Sequence, residues 1–315
     1  MSSVSIIAFQ AIVMLILLLF GFFLRKKSFL SDETAKQLSN IIVTIINPIL
    51  IFNSYQTECN ERLLRGLGAA AVLAFAAHLL FIAASKVLVR KTRKDFEIER
   101  FSLIYTNCGF MGIPLVEAVF GSEGVFYLTA YITAFNLFIW THGVVLISGK
   151  KLSASGLLKI VLSPAIIAII AGLIMFFAGL RLPGVIQVPL DYLGSLNTPL
   201  AMLVSGATIA KSGLKNAFTD KRVYLCQAIR LLLLPAALAG LFVLALMAGV
   251  EPMVIKVVLI AASAPTGSLT IMLAHKYERN AEYASSCFAL STILSMATMP
   301  LILAFWELLN SFVIL

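Results

Sequence analysis

The sequence predicts an all-α polytopic membrane protein, and three features of the chain support this fold class. Of its 315 residues, 60% are hydrophobic and only 12% are charged, whereas a soluble domain carries roughly 25% charged residues. The apolar residues are gathered in runs of about 20, the length of helix that crosses a hydrocarbon core. Prolines and glycines recur inside several of these runs, which indicates that some of the helices are interrupted.

We assign ten membrane spans, five in each half of the chain. The first five cover residues 4–24, 36–56, 66–89, 100–120 and 124–147. The second five cover residues 158–180, 190–210, 222–248, 253–275 and 284–312. The first run is followed by Arg25, Lys26 and Lys27, an order typical of a retained span and not of a cleaved signal peptide.

The basic residues predict the orientation of these spans. The odd-numbered loops and their borders hold 19 Lys and Arg residues, against 4 in the even-numbered loops. Since basic residues accumulate in cytoplasmic loops, we expect a multi-pass protein of the cell (inner or plasma) membrane with both termini outside the cytoplasm. The expected partner is the lipid bilayer. Nucleic acid is not expected, because the basic residues form no stripe with interleaved aromatics.

Four prolines suggest that the chain is built twice. Pro48 and Pro199 lie in the second and seventh spans, Pro114 and Pro265 lie in the fourth and ninth, and both pairs are 151 residues apart. With five spans per half, the second half must enter the membrane from the other side, which predicts inverted repeats. Residues 1–147 then form the first repeat, 148–157 a cytoplasmic connecting loop and 158–315 the second repeat.

The fourth span contains the first candidate site. Asn107, Gly109, Gly112 and Pro114 follow one another within eight residues, and two glycines with a proline favour a break in a helix. Backbone groups freed in lipid need protein or a wet cavity as partners. One interpretation is therefore a discontinuous helix whose N-terminus attracts an anion. The other is a packed kink, since Gly and Pro are common in membrane helices.

The ninth span is interrupted at the corresponding place. Pro265, Thr266, Ser268 and Thr270 offer hydroxyls and backbone groups but no charge. Neutral donors at the ends of helices suit a substrate carboxylate better than a metal. No His, Asp or Glu cluster in the sequence has the spacing of a metal site, and no cofactor is expected.

Few ionisable residues fall within spans. Arg230 is expected to face protein or water, either as an attractor of anions or as a pin on backbone carbonyls. His78 and His142 titrate in the range of a proton carrier, but a hydrogen-bonded structural role is the alternative. Asn136 and Thr141 in the fifth span are candidates for the wall of a substrate pocket, while Asn47 beside Pro48 is a supporting candidate.

Five segments together resemble the auxin efflux carrier family, which includes plant PIN-type carriers and bacterial permeases for small carboxylic acids. The resemblance spans nearly the whole chain. It is carried by Asn107–Leu115, Pro199–Met202, Arg230–Pro235, Ala264–Gly267 and Leu273–Tyr277.

This resemblance implies a ten-helix fold like that of the bile-acid symporters and sodium/proton antiporters. One bundle would be a scaffold, through which a homodimer forms, and the other a transport domain in which spans 4 and 9 cross. Substrate would bind at this crossing, near the positions of Asn107 and Asn136, and move by an elevator-type mechanism. The plant carriers have a proline where this chain has Thr270, which places Pro265 at the edge of the second break and Thr270 nearer its centre.

The sequence therefore predicts a secondary active or facilitative transporter of a small organic anion, such as malonate, malate, lactate or an auxin-like acid. Coupling to protons or sodium stays open. The alternatives are a sodium-coupled symporter of the bile-acid type and a non-transporting membrane sensor. An enzyme is not expected, because the spans contain no paired carboxylates, metal motif or nucleophile with a base.

Overall fold

A computed structural model describes residues 3–150, 158, 161–211 and 218–314, and the regular structure in these ranges is helical. The first five helices are α1 (Ser3–Lys26), α2 (Asp32–Ser54), α3 (Glu61–Leu88), α4 (Phe96–Ile104) and α5 (Cys108–Ser148). The remaining six are α6 (Pro164–Phe177), α7 (Gly184–Lys211), α8 (Lys221–Met247), α9 (Pro252–Ser263), α10 (Leu269–Lys276) and α11 (Ala281–Ile314). Most of the predicted connecting loop, 148–157, lies outside the described residues.

Seven helices in the described ranges are long and apolar enough to cross a membrane, and α6 and α9 are apolar but shorter. Large apolar side chains such as Phe20, Leu79 and Leu244 point away from the protein interior. A helix satisfies its own backbone hydrogen bonds, so such surfaces are tolerated in lipid. The prediction of an all-α polytopic membrane protein is confirmed.

Short polar residues start several helices. Oxygen atoms of the Ser31, Asn60 and Asp220 side chains accept hydrogen bonds from backbone N–H groups in the first turns of α2, α3 and α8, at 3.0, 2.9 and 2.8 Å. These N–H groups have no partner within the helix, which is why Ser, Asn and Asp are favoured at this position. The polar residues between apolar runs therefore fix where the helices begin.

Three prolines follow a widened turn instead of breaking their helices. The N–H groups of Asn47, Ile113 and Leu234, each just before a proline, bond to the carbonyl five residues earlier. A proline ring clashes with the carbonyl four residues before it, and a π-type turn relieves this clash. The break expected around Gly109 and Pro114 therefore lies earlier, at residues 105–107, and Pro114 belongs to the first turns of α5.

The second interruption separates α9 from α10 at residues 264–268. Ala264 is extended (φ −57°, ψ 151°), because the residue before a proline avoids the helical region. Pro265 thus lies within the break, and Thr270 lies in the first turn of α10. The expectation that Thr270 lies nearer the centre of this break is wrong, since the proline ends α9 and the helix has restarted by residue 269.

Two close helix contacts hold α1 against α7 and α2 against α6. A Cβ at Gly21 would clash with the backbone of Leu203, and one at Gly206 would clash with the backbone of Leu18. Gly172 of α6 likewise leaves room only for the ring of Tyr55, just past the end of α2. Small residues let membrane helices approach closely without a hydrophobic driving force.

Candidate functional site

The two interruptions are bonded to each other through their backbones. Asn107 N–H donates to the carbonyl of Pro265 (2.7 Å), and Gly267 N–H donates to the carbonyl of Tyr105 (3.1 Å), which forms an antiparallel bridge between Thr106 and Thr266. We call residues 105–107 and 264–268 the crossing segments. Each segment supplies hydrogen-bond partners for the groups that the other has freed, as a helix break away from water requires.

Glycine is required at one point of this contact. A Cβ at position 267 would lie 3.0 Å from the carbonyl oxygen of Thr106, closer than ordinary van der Waals contact. Thr266 beside it is fully buried, and its N–H donates to Ser291 Oγ on α11 (3.1 Å). Its hydroxyl lies 3.2 Å from Gln227 Oε1 on α8. Thr266 therefore ties the crossing segments to two neighbouring helices.

Arg230 of α8 holds the end of α9. Its side chain is 0% exposed, and Nη2 donates to the carbonyls of Ala262 (2.8 Å) and Ala264 (2.6 Å). The last carbonyls of a helix have no partner within it and carry partial negative charge, so a cation stabilises them. Binding to backbone carbonyls, as a structural pin, is one of the two roles predicted for Arg230, and this geometry agrees with it.

A cavity of about 1320 Å³ lies beside the crossing segments. Its wall comes from α2, α5, α6, α7, α10 and α11 as well as from both segments. At one end it reaches exposed charged or titratable residues, namely Asp32, Glu33, Lys36, Lys211, His275 and Glu282. Deeper in, its polar lining is neutral and includes Asn47, Asn107, Asn136, Ser205, Thr208 and Ser268.

Five of the residues predicted from the sequence line this cavity. Asn107 is 5% exposed and its amide nitrogen has no hydrogen-bond partner. Asn136 donates its amide N–H to the carbonyl of Ile132 (2.8 Å), which leaves its oxygen toward other groups. Gly109, Ser268 and the supporting residue Asn47 complete the set. Asn47 also has a buried amide oxygen without a partner.

Other predicted residues lie near the crossing but outside the lining. Gly112 packs close to Cys108 and Ala261, and Thr141 donates its hydroxyl to the carbonyl of Leu137 (2.6 Å). Thr270 is buried with an unpaired hydroxyl. Four prolines serve the backbone and are not in the lining: Pro48, Pro114, Pro199 and Pro265.

Both candidate histidines are held by the protein. His78 Nδ1 lies 2.8 Å from the carbonyl of Ala74, and its ring stacks on Phe138 with centroids 5.1 Å apart. His142 Nδ1 lies 2.9 Å from the hydroxyl of Tyr105 in the first crossing segment. Neither residue lines the cavity. Their contacts match the structural role that was the alternative to proton transfer.

Sequence reasoning missed the contribution of α7. Ser205 and Thr208 line the cavity, and Ser205 is 3% exposed. The only signal was a pair of hydroxyl residues near Gly206, which is unremarkable in an apolar helix. Trp140 and Phe110 add aromatic surface to the same cavity.

Two helix N-termini border the cavity, and its deeper lining has no charged side chain among the described residues. The first residues of α5 (Cys108, Gly109) and of α10 (Leu269), preceded by Ser268, all border the cavity. The first N–H groups of a helix have no partner within the helix and give its N-terminus about half a positive charge. Among the described residues, no group of three or more His, Cys, Asp or Glu side chains is placed to hold a metal ion.

An all-helical membrane protein with two interrupted helices bonded at their breaks beside a polar cavity belongs to the class of membrane transporters. Residues 7–303 match the model of the family described as Membrane transport protein. The chain belongs to this family, the auxin efflux carrier family that its motifs resemble, and this confirms the prediction of a membrane transporter.

Three relatives carry transporter names. An "Uncharacterized transporter" of Methanothermobacter thermautotrophicus is 28% identical, covering 91% of this chain and 94% of the relative. A second, from Methanocaldococcus jannaschii, is 27% identical and covers 94% and 96%. A protein of Rhizobium meliloti named "Putative malonate transporter" is 25% identical and covers 84% and 85%.

Proposed function

We propose that this protein is a secondary transporter that moves a small carboxylate across the cell membrane, with the substrate bound beside the crossing segments. The observation that carries the proposal is the convergence of two helix N-termini and the unpaired amide of Asn107 on one cavity. A carboxylate accepts hydrogen bonds from such groups and is stabilised by the partial positive charge of helix N-termini. Each N-terminus contributes about 0.3–1 kcal/mol, or up to about 2 when partly buried.

Ten spans in two inverted repeats are the architecture that we propose for this transporter. Gly121 (φ 61°, ψ −156°) divides α5, so α4 with the first part of α5 accounts for span 4 and the remainder for span 5. Helices α9 and α10 account for span 9. Helices α1 and α2 are the first two spans of one repeat, and α6 and α7 are the first two spans of the other. We expect inverted repeats to pack the first span of each against the second span of the other, as α1 packs on α7 and α2 packs on α6. These four helices would form the scaffold, through which two copies would dimerise.

The cavity opens toward the cytoplasm in this proposal. Its mouth includes Lys36 and Lys211, which belong to the odd-numbered loops, where 19 of the Lys and Arg residues lie, and such basic loops face the cytoplasm. Ile51 of α2 lines the cavity, and Tyr55 lies one turn beyond it, farther from the mouth. In this proposal Tyr55 closes the outer side between α2 and α5. Its hydroxyl lies 2.6 Å from that of Thr129, and its ring packs on Phe126 with centroids 5.0 Å apart. An elevator-type movement of the transport bundle would separate these contacts and carry the substrate outward.

A small dicarboxylate is the first substrate to test. The relative named for malonate supports this choice, as does the neutral polar floor of the cavity. The observations favour neither proton nor sodium coupling. A sodium-coupled symporter and a non-transporting sensor are therefore alternatives that the same experiment separates.

The proposal is tested with purified protein in liposomes. Uptake of radiolabelled malonate, malate, lactate and indole acetate is measured with and without a sodium gradient and with and without a proton gradient. Uptake of at least one carboxylate above that of empty liposomes is expected. Binding without flux would indicate a sensor, and neither binding nor flux would contradict the proposal.

Asn107→Ala is the first variant to test in this assay. Loss of its amide N–H from the site should reduce the rate of uptake about tenfold to a hundredfold, since one hydrogen bond to a charged group is worth roughly 1.5–3 kcal/mol. Asn310→Ala makes the same chemical change on α11, outside the cavity lining, and should retain wild-type uptake. Equal rates for the two variants would remove Asn107 from the site.

A further inference from the structure

Arg230 is a full positive charge directly behind the crossing segments. It is completely buried, and an arginine does not lose its proton in a protein. It donates to the carbonyl of Ala264 (2.6 Å). The next residue, Pro265, accepts from Asn107 N–H (2.7 Å). These short links place the guanidinium roughly 10 Å from a ligand at Asn107, about three Cα–Cα steps.

The charge of Arg230 is not neutralised by an acid within the described part of the chain, where no ion pair involves it. Its Nη2 meets two carbonyls, while Nε and Nη1 have no hydrogen-bond partner. The guanidinium also lies over the ring of Phe81, 5.4 Å from the centroid. The buried acid Glu99 is paired with Arg93 and Arg222 instead. Carbonyls and a ring offset only part of a unit charge, so positive potential remains at the crossing.

We propose that Arg230 is the specificity-determining charge of the transport site: it selects anionic over neutral substrates through its electrostatic potential, without entering the cavity. The inference rests on the proposed function, and it explains why the site would prefer anionic substrates. Arg230 is a positioning residue for α9 as well, and the two roles use different properties. The pin requires a donor at Nη2, whereas selectivity requires the charge.

The size of the expected effect follows from Coulomb's law. At roughly 10 Å and an effective dielectric constant of about 20, the attraction corresponds to about tenfold in affinity for each unit of substrate charge. A dianion should therefore depend on Arg230 about a hundredfold, a monoanion about tenfold and a neutral analogue hardly at all. A purely structural role would change all three affinities by the same factor.

The test uses three probes of similar shape and different charge: malonate, malonamate and malonamide. Dissociation constants are measured by calorimetry on purified wild-type protein and on two variants. In Arg230→Met the charge is removed and an apolar side chain fills the space. In Arg230→Lys the charge stays, and because one nitrogen makes both carbonyl bonds, a single ammonium can replace it.

Relative to malonamide, whose affinity reports the loss of the carbonyl bonds, Arg230→Met should weaken the binding of malonate about a hundredfold and of malonamate about tenfold, and Arg230→Lys should restore most of this difference. A second variant, Phe81→Glu, keeps Arg230 and places a carboxylate against it. It should reproduce the loss for the anions, and it tests the inference if Arg230→Met does not fold. Arg62→Gln, which removes a positive charge at the far end of α3, is the matched control and should change each affinity less than twofold.

The outcomes separate the two proposals. If the wild-type protein binds none of the three probes and transports no carboxylate in liposomes, the carboxylate function fails, and the inference fails with it. If the wild-type protein binds malonate but Arg230→Met and Phe81→Glu bind it equally well, the inference alone is overturned. A uniform loss for all three probes would also overturn it, because that result assigns Arg230 a purely structural role.

Discussion

At the scale of single residues, the contact between the crossing segments depends on a missing side chain, and the site beside it depends on an unpaired hydrogen-bond donor. Gly267 has no Cβ, and this allows the backbone of Thr106 to approach. Asn107 has an amide nitrogen without a protein partner, and a buried donor of this kind gains from a ligand that accepts its hydrogen bond. Asn107 was predicted from the sequence as a site residue, but the requirement for glycine at position 267 was not.

Gly267→Ala should impair both stability and transport. The added methyl group would press on the carbonyl of Thr106 and loosen the bridge between the crossing segments, at a cost of about 1–3 kcal/mol for overpacking. A lower melting temperature in detergent and slower uptake of the transported carboxylate are expected. Gly240→Ala in α8 is the matched control, because a Cβ there meets no atom within 4 Å. A variant at 267 that behaves like the one at 240 would show that the close approach is unimportant.

At the scale of helices, prolines and aromatic residues shape the site more than helix propensity does. Prolines after a widened turn leave α2, α5 and α8 continuous, whereas Pro265 ends α9. The aromatic side chains of Tyr55, Phe126 and Phe176 meet where α2, α5 and α6 converge, with ring centroids 5.0–6.3 Å apart. In the proposed mechanism, these contacts close the side opposite the cavity mouth.

Tyr55→Phe should favour the outward-open state. The variant keeps the ring but removes the hydroxyl that pairs with Thr129, a contact worth about 1 kcal/mol. In the proposed mechanism, this contact forms only when the outer side is closed. In a Cys59→Ser background, labelling of a cysteine introduced at Ile51 in the cavity wall, by an impermeant maleimide added outside, should become several-fold faster. Thr129→Val should have the same effect, and unchanged labelling in both variants would show that this pair does not hold the outer side closed.

At the scale of the whole molecule, the distribution of basic residues among the loops and the position of the cavity mouth both favour an opening toward the cytoplasm. Lys36 and Lys211 lie at the mouth of the cavity, and in the proposed mechanism the opposite end is closed. Cys59, between α2 and α3, is the exposed cysteine, while Cys108, Cys226 and Cys287 are buried. It therefore reports the orientation of the protein without any engineering.

An impermeant maleimide should label Cys59 in intact cells, since positive-inside topology puts the loop after α2 outside. Cys59→Ser should abolish the labelling, which serves as the control for the buried thiols. Mass spectrometry of the purified protein identifies the modified residue. Labelling that appears only after the membrane is opened would reverse the proposed orientation, and with it the side on which the cavity opens.

The sequence by itself determined the all-α membrane class, the family and several residues of the cavity, including Asn107, Asn136 and Ser268. These follow from local properties: the length of apolar runs, the residues that interrupt helices and short motifs. Tertiary structure alone decided that the second break covers residues 264–268 and excludes Thr270, and that Ser205 of α7 joins the cavity.

Tertiary structure also decided the partners of Arg230 and the pairing of Thr106 with Thr266. The physical reason is distance along the chain. Arg230 meets Ala264 34 residues away, and the crossing segments come from opposite halves of the chain. Hydrogen bonds between such segments depend on how helices pack, which local propensity does not encode.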